Sequence, residues 1–260
     1  MASIDLRSLA TKVESAIDNL IVVNVTDSSH AMARRILEQV DEDGSELRPT
    51  VVVAGRQSSG QGRGNRRWSS PDGGLYCNWL CGDINTELVP VLPMVAASAA
   101  HQAVASTGVS PLRIKWPNDL LVKGSKIAGV LVHCRQAERA LVTVGLGVNI
   151  DHAPDLTGEN PPHPPTSVLE HVPSIDPVDA AASILRTLIA GLNRGLERPD
   201  DAVRSWRRNL LHSQGDAMTV RTASGENVTG VFDGVNADGH VRIVTESGRR
   251  TLSSGDIIEP

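Results

Sequence analysis

The chain has 260 residues; 40% of them are hydrophobic, only 2% are aromatic, and the formal net charge is −5 at pH 7. This length accommodates one large core, or a main domain with a small appendage, and aliphatic side chains must fill that core. The negative net charge argues against general affinity for nucleic acid, so any basic segment is a local feature.

The cysteines and the apolar segments bear on the compartment. Three cysteines form no even disulfide set and no apolar signal core precedes them, so we expect a cytoplasmic protein. Cys77 and Cys81 are four residues apart in an alternating, strand-like segment, which predicts buried and reduced thiols. The longest apolar tract, residues 88–105, is interrupted by prolines and polar residues, so we expect no membrane span.

The N-terminal part predicts helices alternating with strands. Apolar residues three or four apart predict an amphipathic helix over residues 3–20, and with nothing before that helix we expect no DNA-reading module. A β-rich run follows at residues 21–25. The polar residues 26–29 offer caps for a helix through about residue 39, and an acidic turn is predicted at 41–49.

A loop rich in glycine and arginine, residues 56–68 (RQSSGQGRGNRRW), follows an apolar run at 51–54 that predicts a buried strand. Glycines let backbone N–H groups approach a ligand, and guanidinium groups suit phosphate or carboxylate oxygens. A dinucleotide fingerprint would need a third glycine where Asn65 stands, and a P-loop would end in Gly-Lys-Ser/Thr. The composition predicts an anion-binding loop, with a solvated loop or a nonspecific RNA-binding tract as alternatives.

The rest of the chain changes character near residue 212. Strands are predicted at 75–81, at 113–122 with an interruption at Pro117, at 126–133 and at 140–150, and helices at 91–106, 177–196 and 199–211. Residues 151–166 hold five prolines without periodicity and predict a connector or flexible lid. Short strands at 218–221, 228–235, 241–245 and 249–252 predict a small β-barrel. We therefore expect two domains, residues 1–212 and 213–260.

Four polar segments lie at predicted strand ends: TDSSH at 26–30, the 56–68 loop, KWPND at 115–119 and KIAG at 126–129. In this order and spacing they resemble the biotin protein ligase family, of the monofunctional type without an N-terminal DNA-binding domain. KWPND followed by Lys-aliphatic-Ala-Gly is the most specific part. The resemblance implies an α+β fold: a catalytic domain like that of class II aminoacyl-tRNA synthetases, with a mixed, largely antiparallel sheet flanked by helices, and an SH3-like C-terminal barrel.

The resemblance implies a biotin pocket, which needs partners for the ureido ring, apolar walls and cations near the carboxylate. Ser28 and Ser29 match the family's Ser-Thr and Gln57 matches its glutamine, so these residues would hold the ureido end. Lys126 matches the lysine that meets the carboxylate. The residues implied in biotin binding are Ser28, Ser29, His30, Gln57, Gln61, Gly62, Arg63 and Lys126.

The implied reaction has two steps. Biotin and ATP give biotinoyl-5′-AMP and pyrophosphate, and a lysine of a carrier domain of acetyl-CoA carboxylase or a related carboxylase then takes the biotinoyl group. Arg63 and Lys126 would neutralise developing charge together with Mg²⁺, and Asp119 would orient Lys126, a metal ion or the amine. Apart from Asp119, no protein ligand for the metal is implied. The residues implied in ATP binding are Arg63, Arg66, Trp68, Lys115, Asn118 and Asn149, with Lys115 on the phosphates and Trp68 on the adenine.

The loop also departs from the family pattern, because Gln61, Gly64 and Asn65 replace an arginine, an arginine or small residue, and a glycine. His30 stands where an asparagine is usual. A lost charge-assisted hydrogen bond weakens binding on the order of tenfold or more, so biotin specificity is less firmly implied than adenylating chemistry.

Other interpretations stay open at this point. Lys115 and Lys126 are also typical of edge-strand protection, Asp119 of a turn cap, and Trp68 of a core residue. The competing functions are a lipoate or octanoate ligase or transferase of the same fold, a non-catalytic biotin- or nucleotide-binding relative, and a nucleic-acid-binding protein. The oligomeric state is open, a homodimer included, and we expect the 56–68 loop to close over the ligands.

Overall fold

The computed structural model describes residues 4–136, 140–156 and 161–258. Its larger sheet consists of β1 (Asn19–Thr26), β2 (Thr50–Gln57), β3 (Gly74–Ile84), β4 (Leu112–Lys115), β5 (Asp119–Val122), β6 (Ser125–Gln136) and β7 (Ala140–Asn149). The strand order is β1-β2-β3-β7-β6-β5-β4. Only β1 and β2 are parallel neighbours, which confirms the prediction of a mixed, largely antiparallel sheet.

Helices cover both faces of this sheet. They are α1 (Leu6–Val13), α2 (Ser29–Asp43), α3 (Leu92–Ala105), α4 (Val168–His171), α5 (Pro177–Glu197) and α6 (Pro199–Arg208). Side chains alternate along each strand, so Val51 and Val53 face the large core with α3 and α5, whereas Val52 packs with Leu37 of α2 on the other face. The result is a buried sheet between two helical layers, whose strand ends remain accessible.

Two helix boundaries differ from the predictions. The helix predicted over residues 3–20 is too long, because α1 ends at Val13, a 3₁₀ turn follows, and β1 begins at Asn19. Leu20 is paired with Val51 in the parallel register of β1 and β2, so its apolar side chain serves a strand and not the helix. The predicted start at Ser3 lies outside the described residues. Helix α2 extends through Asp43, so the acidic turn predicted at 41–49 begins later.

The segment predicted as one interrupted strand over 113–122 is instead a hairpin. Strands β4 and β5 are antiparallel neighbours, with Lys115 paired to Asp119 across the turn. Pro117 follows a cis peptide bond in that turn. The prediction was wrong because a proline after Trp116 was read as an interruption, whereas here it lies at a reversal of chain direction.

The C-terminal residues form a second, five-stranded antiparallel sheet. Its strands are β8 (Ala217–Arg221), β9 (Asn227–Val235), β10 (Val241–Thr245), β11 (Gly248–Leu252) and β12 (Asp256–Ile258), in the order β11-β10-β9-β8-β12. Four of these strands were predicted and β12 was missed. Within residues 213–258 the outer strands β11 and β12 are not paired, so the predicted closed barrel is not found there.

The small sheet docks on the helical side of the large domain. The Trp116 indole Nε1 donates to the Gly239 carbonyl at 2.9 Å, and Gly239 lies close to Met94 of α3. Phe232 and Val220 belong to the same buried apolar cluster as α3 and α5. This continuous core brings β12 within reach of the 56–68 loop.

Helix α3 with the 3₁₀ turn before it, Thr86–Ala105, is long and apolar enough to cross a membrane by length and composition, with a mean hydropathy of 1.5. Of that apolar window, 56% is buried inside the protein. In the described residues α3 packs against α5 and α6, as a core helix of a globular protein does.

Gly195 lies where α5 crosses α3, and we predict that Gly195→Ala destabilises the protein. In an exposed helix this change would stabilise by about 0.4–1 kcal/mol. Here the added Cβ would lie 2.5 Å from Val95 Cγ1, so overpacking by about 1–3 kcal/mol dominates. Urea unfolding measures the difference. Gly191→Ala, whose Cβ would lie 3.1 Å from that of Ala99, is the graded control with a smaller expected loss.

Candidate active site

A cavity of about 120 Å³ lies between the 56–68 loop and the central strands β3, β6 and β7. All the predicted site residues except Lys115 and Asn149 line it: Ser28, Ser29, His30, Gln57, Gln61, Gly62, Arg63, Arg66, Trp68, Asn118, Asp119 and Lys126. Residues from four separate polar segments are therefore brought together at one place.

The inner end of this first cavity is a chain of hydrogen-bonded polar side chains. Gln57 Oε1 accepts from both the backbone N–H (2.7 Å) and the hydroxyl (2.8 Å) of Ser29, while Gln57 Nε2 donates to Ser70 Oγ at 2.8 Å. Asn78 Nδ2 donates to Ser29 Oγ at 2.8 Å, and Asn78 Oδ1 lies 3.2 Å from His30 Nδ1. The network orients fixed donors and acceptors toward a buried ligand group.

Helix capping positions the serines of this network. Ser28 is the N-cap of α2 and its hydroxyl oxygen accepts from the Ala31 N–H. Asp27 accepts from the Ser28 N–H at 2.7 Å and pairs with Arg35, and these hydrogen bonds, that with Arg35 first, hold the pKa of the Asp27 carboxyl well below its usual range. Asp27 therefore supports the site from outside the cavity.

At the other end of the first cavity, Lys126, Asp119 and Trp68 meet. The Lys126 ammonium lies 2.7 Å from Asp119 Oδ1 and 5.2 Å from the centroid of the Trp68 ring. A Cβ on Gly147 would lie 2.6 Å from the indole Nε1, and one on Gly129 would lie 3.1 Å from Cζ3. Gly147 on β7 and Gly129 on β6 thus leave room for the indole.

A larger cavity of about 420 Å³ adjoins the first. The two share Arg66, Arg67, Trp68, Asp119 and Lys126, so these five residues form the junction. The walls of the second cavity include Asn149 and prolines of the segment predicted as a connector or lid. The geometry is that of two compartments meeting at a lysine, two arginines and a carboxylate.

The proline-rich segment is tied to this junction. The Lys126 N–H donates to the Pro164 carbonyl at 2.8 Å, and the Thr166 N–H donates to the Lys126 carbonyl at 3.0 Å. Asn149 Nδ2 donates to the Thr166 carbonyl at 2.9 Å. The described part of this segment is irregular, as predicted, and its end positions Lys126; residues 157–160 lie outside the described residues.

Lys115 lies behind the second cavity and lines neither compartment. Its side chain is 4% exposed, and its ammonium lies 2.5 Å from His163 Nε2. His163 Nδ1 donates to the Gly124 carbonyl, which leaves Nε2 as the acceptor for the ammonium. Lys115 thus contacts His163, which lines the second cavity, and its backbone is paired with that of Asp119.

The positions of Lys126 and Lys115 in the sheet do not fit a role in protecting an exposed sheet edge. Lys126 is the second residue of β6, and its backbone pairs with β5 on one side and with residues 164–166 on the other, so edge protection does not explain this residue. Lys115 ends the edge strand β4 but is buried, which is not the arrangement of a protective surface charge.

The 56–68 loop is an ordered turn over the first cavity. The Gly62 N–H donates to the Arg66 carbonyl at 2.7 Å, the Trp68 N–H donates to the Gly60 carbonyl at 2.9 Å, and Gly64 has a φ of +63°. Arg63 Nε and Trp68 Nε1 are buried without a hydrogen-bond partner among the described residues. Two donors with no acceptor at the cavity wall mark where a ligand oxygen would bind.

Three residues of the site were not singled out from the sequence: Asn78, His163 and Asp256. Asn78 lies in the middle of the apolar strand β3 and is 2% exposed. A polar residue inside an otherwise apolar strand is a signal for a buried network, which the sequence offered. His163 and Asp256 contact residues that are far away in the sequence, so no local sequence pattern predicts their roles.

The cysteines and the acidic residues are the other reactive groups of the protein. Burial raises the pKa of the Cys77 thiol to about 12 and that of Cys81 to about 11. All three cysteines are free, as predicted, but Cys81 is only half-buried. In the described residues no group of three or more histidine, cysteine, aspartate or glutamate side chains could hold a metal ion.

His30 makes the stability of the site depend on pH. Burial lowers the pKa of His30 below its ordinary value of 6.5, although the hydrogen bond that its ring makes to Asn78 Oδ1 opposes this shift. The unfolded chain therefore binds more protons as pH falls through 6.5 toward the folded pKa, so the free energy of unfolding falls over that interval. We expect His30→Asn to flatten this dependence in urea titrations between pH 7.5 and about 5. If the free energy of unfolding of His30→Asn falls with pH as steeply as that of the parent protein, His30 is not the source of the dependence.

Comparison with known proteins bears on the whole chain. The model of the "Biotin/lipoate A/B protein ligase family" matches residues 22–151, and that of the "Biotin protein ligase C terminal domain" matches residues 215–258. The chain is 27% identical to the bifunctional ligase/repressor BirA of Bacillus spizizenii over 95% of this chain and 75% of that protein. It is 29% identical to the biotin–[acetyl-CoA-carboxylase] ligase of Paracoccus denitrificans over 89% of this chain and 97% of that protein.

The fold has a counterpart among solved structures. Biotin protein ligase from Aquifex aeolicus, in complex with biotin and ATP, superposes with a TM-score of 0.69 at 25% identity. The match covers 92% of this chain and 97% of that one. Because the first family model spans half of the sequence and includes all four polar segments, this chain belongs to the biotin/lipoate A/B protein ligase family.

Proposed function

We propose that this chain is an ATP-dependent biotin protein ligase, which joins biotin to AMP and then to a lysine of a carrier domain. The observation that carries the proposal is the pair of adjoining cavities that meet at Lys126, Asp119 and Trp68. A reaction between a carboxylate and a nucleoside triphosphate requires two such compartments with cations where they join. Ligases of this activity are among its relatives.

The first cavity suits the ureido end of biotin. The second amide hydrogens of Gln57 and Asn78 and the Ser28 hydroxyl hydrogen are available to a ligand, because the contacts described use only part of their capacity. A dithiolane ring offers no matching partners and would leave these buried groups unpaired. This polar end favours biotin over lipoate, the main alternative substrate within the family.

The second cavity suits the nucleotide, with Asn149 on its wall and Trp68 at its entrance. Arg66, Arg67 and Lys126 at the junction would face the phosphates, and the unpartnered Nε of Arg63 would take a further ligand oxygen. Lys115 would act on this compartment through His163 and not by contact with a phosphate.

In the first step, an oxygen of the biotin carboxylate attacks the α-phosphorus of ATP and the bond to the bridging oxygen breaks, which releases pyrophosphate. Lys126 lies where the two anions meet and would neutralise charge on both. Asp119 holds the Lys126 ammonium at 2.7 Å and orients it. In the second step, the amine of the carrier lysine attacks the biotinoyl carbonyl and AMP leaves.

Mg²⁺ is the expected metal of such a reaction, and it usually binds through one or two carboxylates together with substrate phosphates. Asp119 fits this role, because its carboxylate lines both cavities and is the acidic group at their junction. Bound there with ATP, the ion would supply neutralisation of phosphate charge.

The remaining expectations belong to the same proposal. We infer a catalytic domain of residues 1–212 related to class II aminoacyl-tRNA synthetases and an SH3-like domain of residues 213–260, whose last two residues lie outside the described part. The five-stranded antiparallel sheet supports the second assignment. Free cysteines support a cytoplasmic location. The carrier would be the biotin carboxyl carrier domain of a carboxylase, and the homodimer and the absence of specific DNA binding stay predictions.

Transfer of labelled biotin to a carrier domain tests the proposal. The purified protein, ATP and Mg²⁺ are incubated with a biotin carboxyl carrier domain or with its variant in which the acceptor lysine is arginine. We expect label on the first domain and none on the second. Equal labelling with lipoate would move the assignment to a lipoate ligase, and no labelling with either acid would favour a non-catalytic binding protein.

A further inference from the structure

Two arginines of the 56–68 loop, Arg63 on the wall of the first cavity and Arg66 at the junction, are both bound by one carboxylate of the C-terminal sheet. Asp256 Oδ1 lies 2.5 Å from Arg63 Nη2 and 3.0 Å from Arg66 Nη2. Arg63 Nη2 also donates to the Gly255 carbonyl, and Arg66 Nε donates to the Arg63 carbonyl at 3.0 Å. One short segment of the small domain thus holds both guanidinium groups.

The segment that carries Asp256 is part of the C-terminal sheet. Asp256 begins β12 and is paired with Arg221 of β8. A Cβ on Gly255 would lie 2.5 Å from Val220 Cγ1, so the backbone there lies flat on β8. The carboxylate is therefore presented from a strand, whereas Arg63 and Arg66 belong to the hydrogen-bonded turn of the 56–68 loop.

The guanidinium of Arg63 is only partly satisfied by this contact. Its Nη2 has two acceptors, while its Nε is buried with no partner among the described residues. A guanidinium binds a phosphate or carboxylate best through two parallel N–H groups, and Asp256 engages each arginine through one oxygen. An incoming oxyanion therefore offers Arg63 a better set of acceptors than Asp256 does.

Charge leads to the same conclusion. Asp256 is 49% exposed and places a negative charge beside a site that must accept anionic substrates. A phosphate bound to Arg63 and Arg66 would repel that carboxylate, so the two cannot hold the arginines equally well at the same time.

We propose that Asp256 is a positioning residue that holds Arg63 and Arg66 in the ligand-free site and is displaced from them by an oxyanion of the nucleotide. That the oxyanion belongs to a nucleotide rests on the proposed function, whereas the contacts of Asp256 with Arg63 and Arg66 do not depend on it. The C-terminal sheet thereby sets the affinity of the catalytic domain for its anionic substrate.

Asp256→Asn tests this, because it keeps the size of the side chain and removes its charge. Glu226→Gln is the matched control: Glu226 forms an ion pair with Arg250 in the same sheet and does not contact the loop. Two quantities are measured on the full chain: the rate of trypsin cleavage after Arg63, Arg66 and Arg67 without ligand, and the Kd for inorganic pyrophosphate by calorimetry.

We expect Asp256→Asn to be cleaved about fivefold faster in the loop and to bind pyrophosphate about fivefold more tightly, with Glu226→Gln unchanged in both. Tighter binding is an effect that mere loss of structure would not produce. Cleavage of Asp256→Asn at the parent rate would show that Asp256 does not hold the loop arginines. Pyrophosphate binding that is equal, weaker or undetectable would show that an oxyanion does not compete with Asp256 for them. If the parent protein shows biotin-dependent turnover but Asp256→Asn has the parent cleavage rate and pyrophosphate Kd, this inference alone fails. If the loop of Asp256→Asn is cleaved faster but the parent protein shows no turnover, the proposed function alone fails.

Discussion

We expect Lys126→Ala to abolish adenylate formation, with the rate falling by at least about 10²–10³-fold, while the fold stays intact. Lys126 is the lysine at the junction of the two cavities, where charge on the carboxylate and the α-phosphate must be neutralised. Its backbone N–H and carbonyl, which anchor residues 164–166, are unaffected by the substitution. Single-turnover formation of biotinoyl-5′-AMP measures the effect.

The control for this variant is Lys12→Ala. Lys12 also forms an ion pair at 2.7 Å, with Asp179, but both side chains are about half exposed and lie away from the cavities. Such a pair contributes roughly 0–1 kcal/mol to stability and nothing to the reaction, so the rate should match that of the parent protein. Adenylate formation by Lys126→Ala at the parent rate would show that the site is wrongly assigned.

We expect Gly147→Ala to raise the KM for ATP by about tenfold or more, because it would move the Trp68 indole, which we propose borders the nucleotide. The new Cβ would lie 2.6 Å from Nε1 and 2.7 Å from Cε2 of the ring, closer than a Cβ contact allows. Trp68 lines both cavities, so its displacement changes the entrance to the nucleotide compartment. Steady-state kinetics with ATP varied measures the change.

A double-mutant cycle shows whether the effect passes through the ring. In a Trp68→Ala background Gly147→Ala should add little, because the indole it would displace is gone. Full additivity of the two substitutions would show that Gly147 acts by another route. Thermal unfolding of each variant separates a moved ring from a loss of fold.

Local signals in the sequence predicted much of this site. TDSSH, the basic loop and KWPND each lie where a strand ends, and KIAG lies at the start of β6; strand termini on one side of a sheet are brought together by the sheet itself. Capping chemistry placed the start of α2 within residues 26–29, and Ser28 is the N-cap. Residues whose roles follow from a strand end or a helix cap were therefore accessible to sequence reasoning.

The parts that were missed depend on pairings between distant segments. Asp256 meets Arg63 across 193 positions, and only the docking of the small sheet on α3 brings them together. His163 reaches Lys115 because the Pro164 carbonyl binds the Lys126 N–H. The end of α1 was misjudged for a related reason: Leu20 continues the helical spacing, but its pairing with Val51 makes it part of a strand.

Biotin-dependent adenylation is the reaction that we propose takes place where the two cavities meet. Exchange of labelled pyrophosphate into ATP, with Mg²⁺ and with biotin, lipoate or no acid, tests it most directly. We predict exchange that requires biotin and disappears in Lys126→Ala. Exchange that requires lipoate alone, or no exchange with either acid, would contradict the claim.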